Sequence, residues 1–491
     1  MLLEVKVAKV VILGAGVAGH TAALHAKRIL GKKHEILVIS PNSKYNWIPS
    51  NIWVGVGKMT SDQVTFPLAP VYKKLGITFH QALAQSIHPE GDNEITRGFV
   101  QVSYTTAEKA GIVEKIEYDF LVNATGPKLN FAATPGLGPD GHTVSVCTYG
   151  HAIEAAKTLQ ESIALMKSGK RQTFAIGVGH GTCTCEGAAF EYTFNVEHEL
   201  VQAGVRDLAE IYYITNEYEL GDFGVGGMIF SQQGFQTSSK MWTESLFRER
   251  NIKAILGAHV SKVEAGMIHY ELVDGTEGTL NFDFAMLLPP FRGVDLQAFD
   301  KSGNEISDQL FAASGFMKVD ADYSGKPYEE WLASDWPKTY QNPLYPNIYA
   351  VGIAFAPPHQ ISKPRKSPKG TLVAPSPPRT GMPSGIMGKL SILSIAEIIK
   401  HGPATELPTA SMADMGAACV ASAGSGLRKG SAASMTMFPV VPDYIAYPNT
   451  GRSLADTYGE IGLAGHWIKL LLHYMFIYKA KGRFGWFLIP E

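Results

Sequence analysis

Two thiols, Cys183 and Cys185, stand one residue apart on a glycine-rich stretch, and Glu191 follows six residues after the second. A thiolate at such a place can attack a sulfur substrate or an electron-poor ring. Cys185 opens a helical pattern running from Ala188 to Leu200, where the positive end of the helix dipole favours the thiolate. Glu191, one to two helical turns further on, has the reach of a general base. One buried cysteine is most simply an inert apolar side chain, but two thiols ahead of an acid favour redox chemistry. Zinc is the other use of this spacing, yet no second ligand pair lies nearby in sequence, so no metal is expected. The remaining cysteines, Cys147 and Cys419, are too few and too scattered for a disulfide scaffold.

The elements that must position these groups begin at the N-terminus. Lys9–Gly19 reads KVVILGAGVAG, an apolar β-branched run followed by Gly14-x-Gly16-x-x-Gly19 and a helix-compatible segment. Gly14 allows a tight turn, Gly16 lets the backbone approach a pyrophosphate, and Gly19 lets the helix pack on the strand. Such a unit binds a dinucleotide. A second strand, Ile36–Ile39, ends at Ser40 rather than at the acid that commonly holds the ribose, which leaves Ser40 or Asn42 for that task. Trp47–Trp53 is aromatic and proline-bearing and is expected as an irregular loop, with tryptophans placed to cover a planar ring. The strand Tyr118–Val122 runs into Ala124-Thr125-Gly126, the return fingerprint of two-dinucleotide flavoproteins. Asn347–Gly352 is a third strand of that unit, and Arg379-Thr380-Gly381 leads into a helix from Gly385 to Lys400 whose start faces the cofactor.

Between these lies a second nucleotide-type unit. The strand Thr173–Val178 carries Gly177, Gly179 and Gly181, but Thr182-Cys183-Thr184-Cys185 replaces the third correctly spaced glycine. Thiols therefore stand where a pyrophosphate would lie, and nicotinamide binding is expected to be lost. The expected fold is α/β with two Rossmann-like dinucleotide-binding domains. The first occupies residues 1–145 and 316–410, the degenerate second one 146–315, and a C-terminal membrane- and quinone-binding region 411–491.

At 491 residues several domains are expected, and a formal charge of −2 offers nucleic acid no general attraction. The first strand begins almost at once, so no signal peptide is expected, and no charge-free apolar run is long enough to span a bilayer. The tail is different. Leu463, Trp467, Leu470, Leu471, Tyr474, Ile477 and Tyr478 share one helical face, with His466, Lys469, Lys479, Lys481 and Arg483 around them. An apolar aromatic face beside basic residues describes a helix lying in a membrane interface, the alternative being a helix that covers a core or a dimer contact.

These residues carry a family resemblance spread along nearly the whole chain. It runs through Pro49-Ser50-Asn51-x-Trp53, Ala124-Thr125-Gly126-Pro127-Lys128-Leu129, Gly141-His142-Thr143-x-Ser145-x-Cys147, Cys185-x-Gly187-x-Ala189-Phe190-Glu191-Tyr192, Leu288-Pro289-x-Phe291-x-Gly293 and Ala413-Asp414-Met415-Gly416. The chain resembles sulfide:quinone oxidoreductases, with the flavoprotein subunit of flavocytochrome c sulfide dehydrogenase close behind. The resemblance implies a peripheral (monotopic) membrane flavoenzyme that oxidises sulfide to sulfane sulfur or polysulfide beside FAD and passes the electrons to membrane quinone. A homo-oligomer is expected. By matching position, Cys185 is one of the two redox cysteines, Cys147 the further cysteine that some members join covalently to FAD, Glu191 an acid/base and His151 a histidine near the sulfide site. The same resemblance puts Gly14, Gly16, Gly19, Ser40, Asn51, Ala124, Thr125, Gly126, Cys147, Gly352, Arg379, Thr380 and Gly381 at the cofactor. The family's second redox cysteine falls on Ser411 and a second family histidine on Asp222, so either Cys183 or Cys419 supplies the missing thiol or Ser411 is an introduced change. Two other readings stay open at this point: a type-II NADH:quinone dehydrogenase relative, and a flavin-bound redox sensor without turnover.

Overall fold

The computed structural model describes residues 7–184, 186–379, 381–424, 426–428 and 430–491; Cys185 and Thr380 lie outside them. The elements used below are, in chain order, β1 (Lys9–Leu13), α1 (Val17–Leu30), β2 (Glu35–Ser40), α2 (Asn51–Gly55), β3 (Thr78–His88), β4 (Phe99–Tyr104), β5 (Val113–Glu117), β6 (Phe120–Asn123) and β7 (Gln172–Val178). They continue with α3 (Glu186–Gln202), β8 (Ala209–Ile214), β9 (Ile229–Gln232), β10 (Phe235–Ser238), β11 (Ile252–Ile255), β12 (Phe284–Leu288), β13 (Ile348–Ala350), β14 (Arg365–Lys366) and β15 (Leu372–Val373). The last are α4 (Gly381–His401), β16 (Ala417–Gly424), β17 (Gly430–Met437), β18 (Tyr458–Gly462) and α5 (Leu463–Ala480).

The first sheet has the order β13-β6-β1-β2-β3-β4-β5. Its nucleotide-binding half is parallel, with Val10 opposite both Ile36 and Phe120. Val10, Val11, Ile12 and Leu13 are fully buried, as a strand covered on both faces requires. The second sheet, β11-β8-β7-β12, is parallel throughout and repeats the strand–helix–strand plan with β7, α3 and β8. Helix α4 packs on α1 so closely that a methyl group at Gly388 would lie 2.3 Å from the Ala18 carbonyl oxygen. It is long and apolar enough to cross a bilayer, but 56% of its apolar window is buried inside the protein, and it serves as a core helix.

Two expectations are corrected. Trp47–Trp53 is not an irregular loop: Ile48–Ser50 forms a 3₁₀ turn and α2 follows it directly. The C-terminal region 411–491, expected around an amphipathic helix, is not helical throughout: a β-hairpin, β16–β17, and β18 precede the long helix α5. The sheet runs β10-β9-β18-β17-β16, joining the tail to a hairpin far earlier in the chain. Short-range hydrophobic spacing marks α5 but carries no trace of that pairing, which is set by contacts between distant segments.

Candidate functional site

The first fingerprint makes a cradle. A Cβ at Gly14 (φ +98°) would meet the Ala124 carbonyl oxygen at 2.1 Å, and one at Gly19 would meet the Gly14 carbonyl oxygen at 2.2 Å. The strand end, the return segment and α1 can approach this closely only because both residues lack side chains. Gly16 is the opposite case: it is exposed and nothing lies within 4 Å of its missing Cβ. No side chain caps α1, so its first turn turns its N–H groups and dipole to that open space. These residues fit the diphosphate of FAD. Thr125 donates through its hydroxyl to Asn123 Oδ1 (2.8 Å), which fixes the return turn beside Gly14.

Other residues expected at the cofactor have protein partners. Ser40 is buried and its hydroxyl accepts from the Asn42 amide at 3.3 Å. Asn51 is fully buried, exchanging hydrogen bonds with Asn46 at 2.9 and 3.1 Å. Arg379 donates to the carbonyls of Ile353 (2.9 Å) and Phe355 (2.6 Å), clamping the turn that begins at Gly352. Trp47 stacks on Phe476 of α5 at 4.8 Å and lies beside Gly381, whereas Trp53 turns away between His466 and His473.

The second fingerprint is filled. A Cβ at Gly179 would sit 2.5 Å from the Leu137 side chain, and one at Gly181 would sit 2.5 Å from the Leu372 carbonyl oxygen and 3.1 Å from His259. Residues 374–376 strap across the same turn: Ala374 donates to Gly181 (2.8 Å), Ser376 to Cys183 through its amide (2.9 Å) and to Thr182 through its hydroxyl (3.0 Å). The space that stays open at Gly16 is occupied at Gly179, which removes the backbone approach a second dinucleotide needs.

At the start of α3 the structure brings one further thiol to the glycine-rich turn, and the other expected groups have partners elsewhere. Cys419 on β16 reaches Gly187, its Sγ 2.9 Å from where a Cβ would stand there. Burial, with the Glu191 charge adding, pushes the Cys419 thiol up to about 12. Cys183 is fully buried and its Sγ donates to the Leu288 carbonyl at 3.2 Å. Cys147 is pushed up to about 11 by burial. Ser411 is buried and accepts from the Ala413 amide at 3.3 Å. His151 follows the helix cap Thr148 and meets Phe131 edge-on at 5.8 Å; burial lowers its pKa.

Glu191 is the centre of a network the sequence did not disclose. Lys469 Nζ lies 3.0 Å from Glu191 Oε2, and the Ser422 amide donates to Oε1 at 3.1 Å. Asn195 and Trp53 both donate to the Ser422 carbonyl, at 2.7 and 3.3 Å. The Ser422 hydroxyl donates to His466 Nδ1 (2.5 Å) while His466 Nε2 donates to Gly426 (2.9 Å), a neutral tautomer consistent with its burial-lowered pKa. Burial raises the Glu191 pKa, with Lys469 opposing.

This network overturns the expected arrangement of the tail. His466, Lys469 and Lys479 do not flank an interface in water; all three are buried. Helix α5 faces its polar stripe inward and presents Trp467, Leu471 and Tyr474, 49–59% exposed, to the outside. The spacing of His466, Lys469 and His473, at i, i+3 and i+7 in an apolar helix, was the available signal.

The fold and the cradle define a flavoprotein with the two-nucleotide fold of the disulfide oxidoreductases, and FAD is its cofactor. Residues 8–218 match the family described as pyridine nucleotide-disulphide oxidoreductase. Over 472 residues, 96% of this chain and 91% of the relative, it is 29% identical to the sulfide-quinone reductase of Aquifex aeolicus. The crystal structure of the sulfide:quinone oxidoreductase from that bacterium superposes with a TM-score of 0.74 at 27% identity, covering 97% of this chain and 92% of that one. An NDH2 from Plasmodium falciparum in complex with NADH shares the fold, with a TM-score of 0.61 at 16% identity over 98% of this chain and 97% of that one.

Proposed function

We propose that this chain is a sulfide:quinone oxidoreductase. The observation that carries it is the contrast between the two fingerprints, set beside whole-length similarity to a sulfide-quinone reductase: one cradle is open for FAD, the other is filled and carries thiols. Sulfide enters as HS⁻ and leaves its sulfur on a thiol, Cys–SH + HS⁻ → Cys–S–SH + H⁺ + 2e⁻, and quinone takes the pair, Q + 2e⁻ + 2H⁺ → QH₂. FAD, when bound, supplies the two-electron transfer between these half-reactions.

The residues divide the work. Cys185, which lies outside the described residues, is the sulfur-accepting thiol by its place in the sequence. Cys419, reaching Gly187 two residues further on, is the second thiol that Ser411 cannot be. Glu191, held by Lys469 and the Ser422 amide, takes and returns protons beside Cys419. The outward face of α5 lies on the bilayer, from which quinone is drawn.

The test is an anaerobic titration of the FAD-loaded protein with sulfide, followed by a short-chain quinone. Flavin absorbance bleaches with sulfide and recovers with quinone. The Cys185→Ala protein binds FAD but does not bleach; normal bleaching by that variant excludes Cys185 from the sulfur side.

A further inference from the structure

The second fingerprint repeats the spacing of the first, Gly177-x-Gly179 against Gly14-x-Gly16, so His180, Gly181 and Thr182 stand where Val17, Ala18 and Gly19 begin α1. In α1 no side chain caps the amides of that turn, which leaves them to a diphosphate. In the second unit two of them meet imidazoles. The Gly181 amide donates to His259 Nδ1 at 3.1 Å, and the Thr182 amide donates to His180 Nδ1 at 3.2 Å. The Thr182 hydroxyl lies 2.9 Å from the same His180 nitrogen. The two rings meet edge to face with centroids 4.5 Å apart, His180 on the turn itself and His259 on the strand Ala258–Glu264.

A backbone N–H only donates, so both Nδ1 atoms accept, and each ring is a neutral imidazole with its proton on Nε2. The rest of the turn is bonded as completely. The Cys183 amide donates to the His180 carbonyl at 3.2 Å, and Ala374, Ser376 and Asn216 donate to the carbonyls of Gly181, Thr182 and Cys183. The two imidazoles supply the acceptors that the Gly181 and Thr182 amides would otherwise lack. Burial lowers the pKa of both rings, His180 to about 4 with the His259 ring adding, which keeps them in the accepting form at neutral pH. Glu271, on the strand Met267–Leu272, opposes the shift at His259, and Lys369, between β14 and β15, acts on Glu271. The Cys183 thiol, on the same turn, points to the Leu288 carbonyl.

We infer that His180 and His259, as neutral imidazoles, occupy two amides that a diphosphate would take in this fold, and that they thereby position the turn running into Cys185. Both are positioning residues, and each acts through what its Nδ1 accepts. The bonding is sensitive to acid. A proton added at Nδ1 turns that atom into a donor, the amide opposite loses its acceptor, and the turn is released. The effect on flavin bleaching deepens the sulfide-oxidising reading and rests on it; the state of the two rings does not.

Two measurements on the FAD-loaded protein test this. The first is the rate of sulfide-driven flavin bleaching, from neutral pH down to about 4, in the native protein, His180→Asn/His259→Asn and His180→Leu/His259→Leu. Asparagine sets its Oδ1 close to the place of Nδ1, accepts a backbone amide in the same way and does not titrate. The asparagine pair is expected to bleach within about threefold of the native rate at neutral pH and to lack the native fall on acidification. The leucine pair, with no acceptor, is expected to bleach about tenfold more slowly throughout. Protonation of sulfide itself acts on all three alike, so the differences between them are read. Equal rates in the native protein and the leucine pair overturn the inference, as does an asparagine pair that is as slow as the leucine pair, loses FAD, or keeps the native acid fall. Should the leucine pair not fold, the asparagine pair against the native protein decides. The second measurement is nitrogen NMR of isotope-labelled histidine at neutral pH, with the two rings assigned by their loss from H180N and H259N. Neutral rings protonated at Nε2 are expected; an imidazolium, or a proton on Nδ1 of either ring, overturns the inference. Failure of sulfide to bleach the native flavin at any pH defeats the activity reading instead, and the NMR result then judges the two rings alone.

Discussion

Lys469 Nζ and Glu191 Oε2 lie 3.0 Å apart, with both side chains at least nine-tenths buried and their positions 278 residues apart in sequence. The pair ties α5, the last long helix, to the helix that opens beside the thiols. Removing one member of a buried pair leaves the other charge without compensation, which costs about 3–5 kcal/mol. Lys469→Met is therefore expected to lower the denaturation midpoint of the FAD-loaded protein strongly. The double variant Lys469→Met/Glu191→Gln should recover much of the loss, because it buries no charge. Equal destabilisation by the single and double variants would show that the lysine stem, and not the ion pair, does the holding.

The outward face of α5 makes a second prediction. Trp467, Leu471 and Tyr474 are 49–59% exposed and Phe484 and Leu488 just beyond the helix more so, while the polar stripe of the same helix is buried. A surface helix in water has the reverse arrangement. Replacing Trp467, Leu471 and Tyr474 together by serine is expected to abolish sedimentation with phospholipid vesicles, with FAD retention as the control for folding. Undiminished sedimentation would place membrane contact elsewhere.

How much of this was legible in the sequence follows the range of the interactions. Gly14, Gly16 and Gly19 between an apolar strand and a helix announced β1, α1 and the open glycine turn between them, because the spacing and the strand are local. The damaged second fingerprint was equally visible at Gly177–Cys185. What fills it was not, since Leu137 and residues 372–376 come from distant parts of the chain. The tail shows the same limit. Periodicity found the apolar face of α5 but put its basic residues in water, because spacing alone does not say which face is covered. Lys469 is buried because Glu191 on α3, itself held by the Ser422 amide of β16, waits for it.

The filled cradle gives a third prediction. The Leu137 side chain lies against the Cβ position of Gly179 (2.5 Å) and residues 374–376 strap the same turn, which covers the backbone a pyrophosphate would approach. NADH is expected to leave the flavin oxidised under anaerobic conditions in which sulfide bleaches it, and ADP-ribose to give no thermal protection. Flavin reduction by NADH would move the chain towards the dehydrogenases whose fold it shares.

The last prediction concerns acid and alkali. Burial, with the Asp222 charge adding, raises the Glu217 pKa from 4.5 to about 7 in the folded protein. Between those two values the folded state binds more protons than the unfolded one, so this group makes stability fall as pH rises through the window. Burial gives His20 the opposite sense: its pKa is lowered to about 4, and its neutral ring bridges the Tyr72 hydroxyl (2.8 Å) and the Ala480 carbonyl (2.6 Å). Acidification below the ordinary histidine range therefore protonates the unfolded chain first and removes stability. The two slopes oppose each other in the native protein, and a variant separates them. Glu217→Gln is expected to make stability rise more steeply with pH between about 4.5 and 7 than in the native protein, as read from denaturant midpoints in that window. A pH dependence unchanged by that substitution would mean that Glu217 titrates as an ordinary carboxylate, unaffected by burial and by the Asp222 charge.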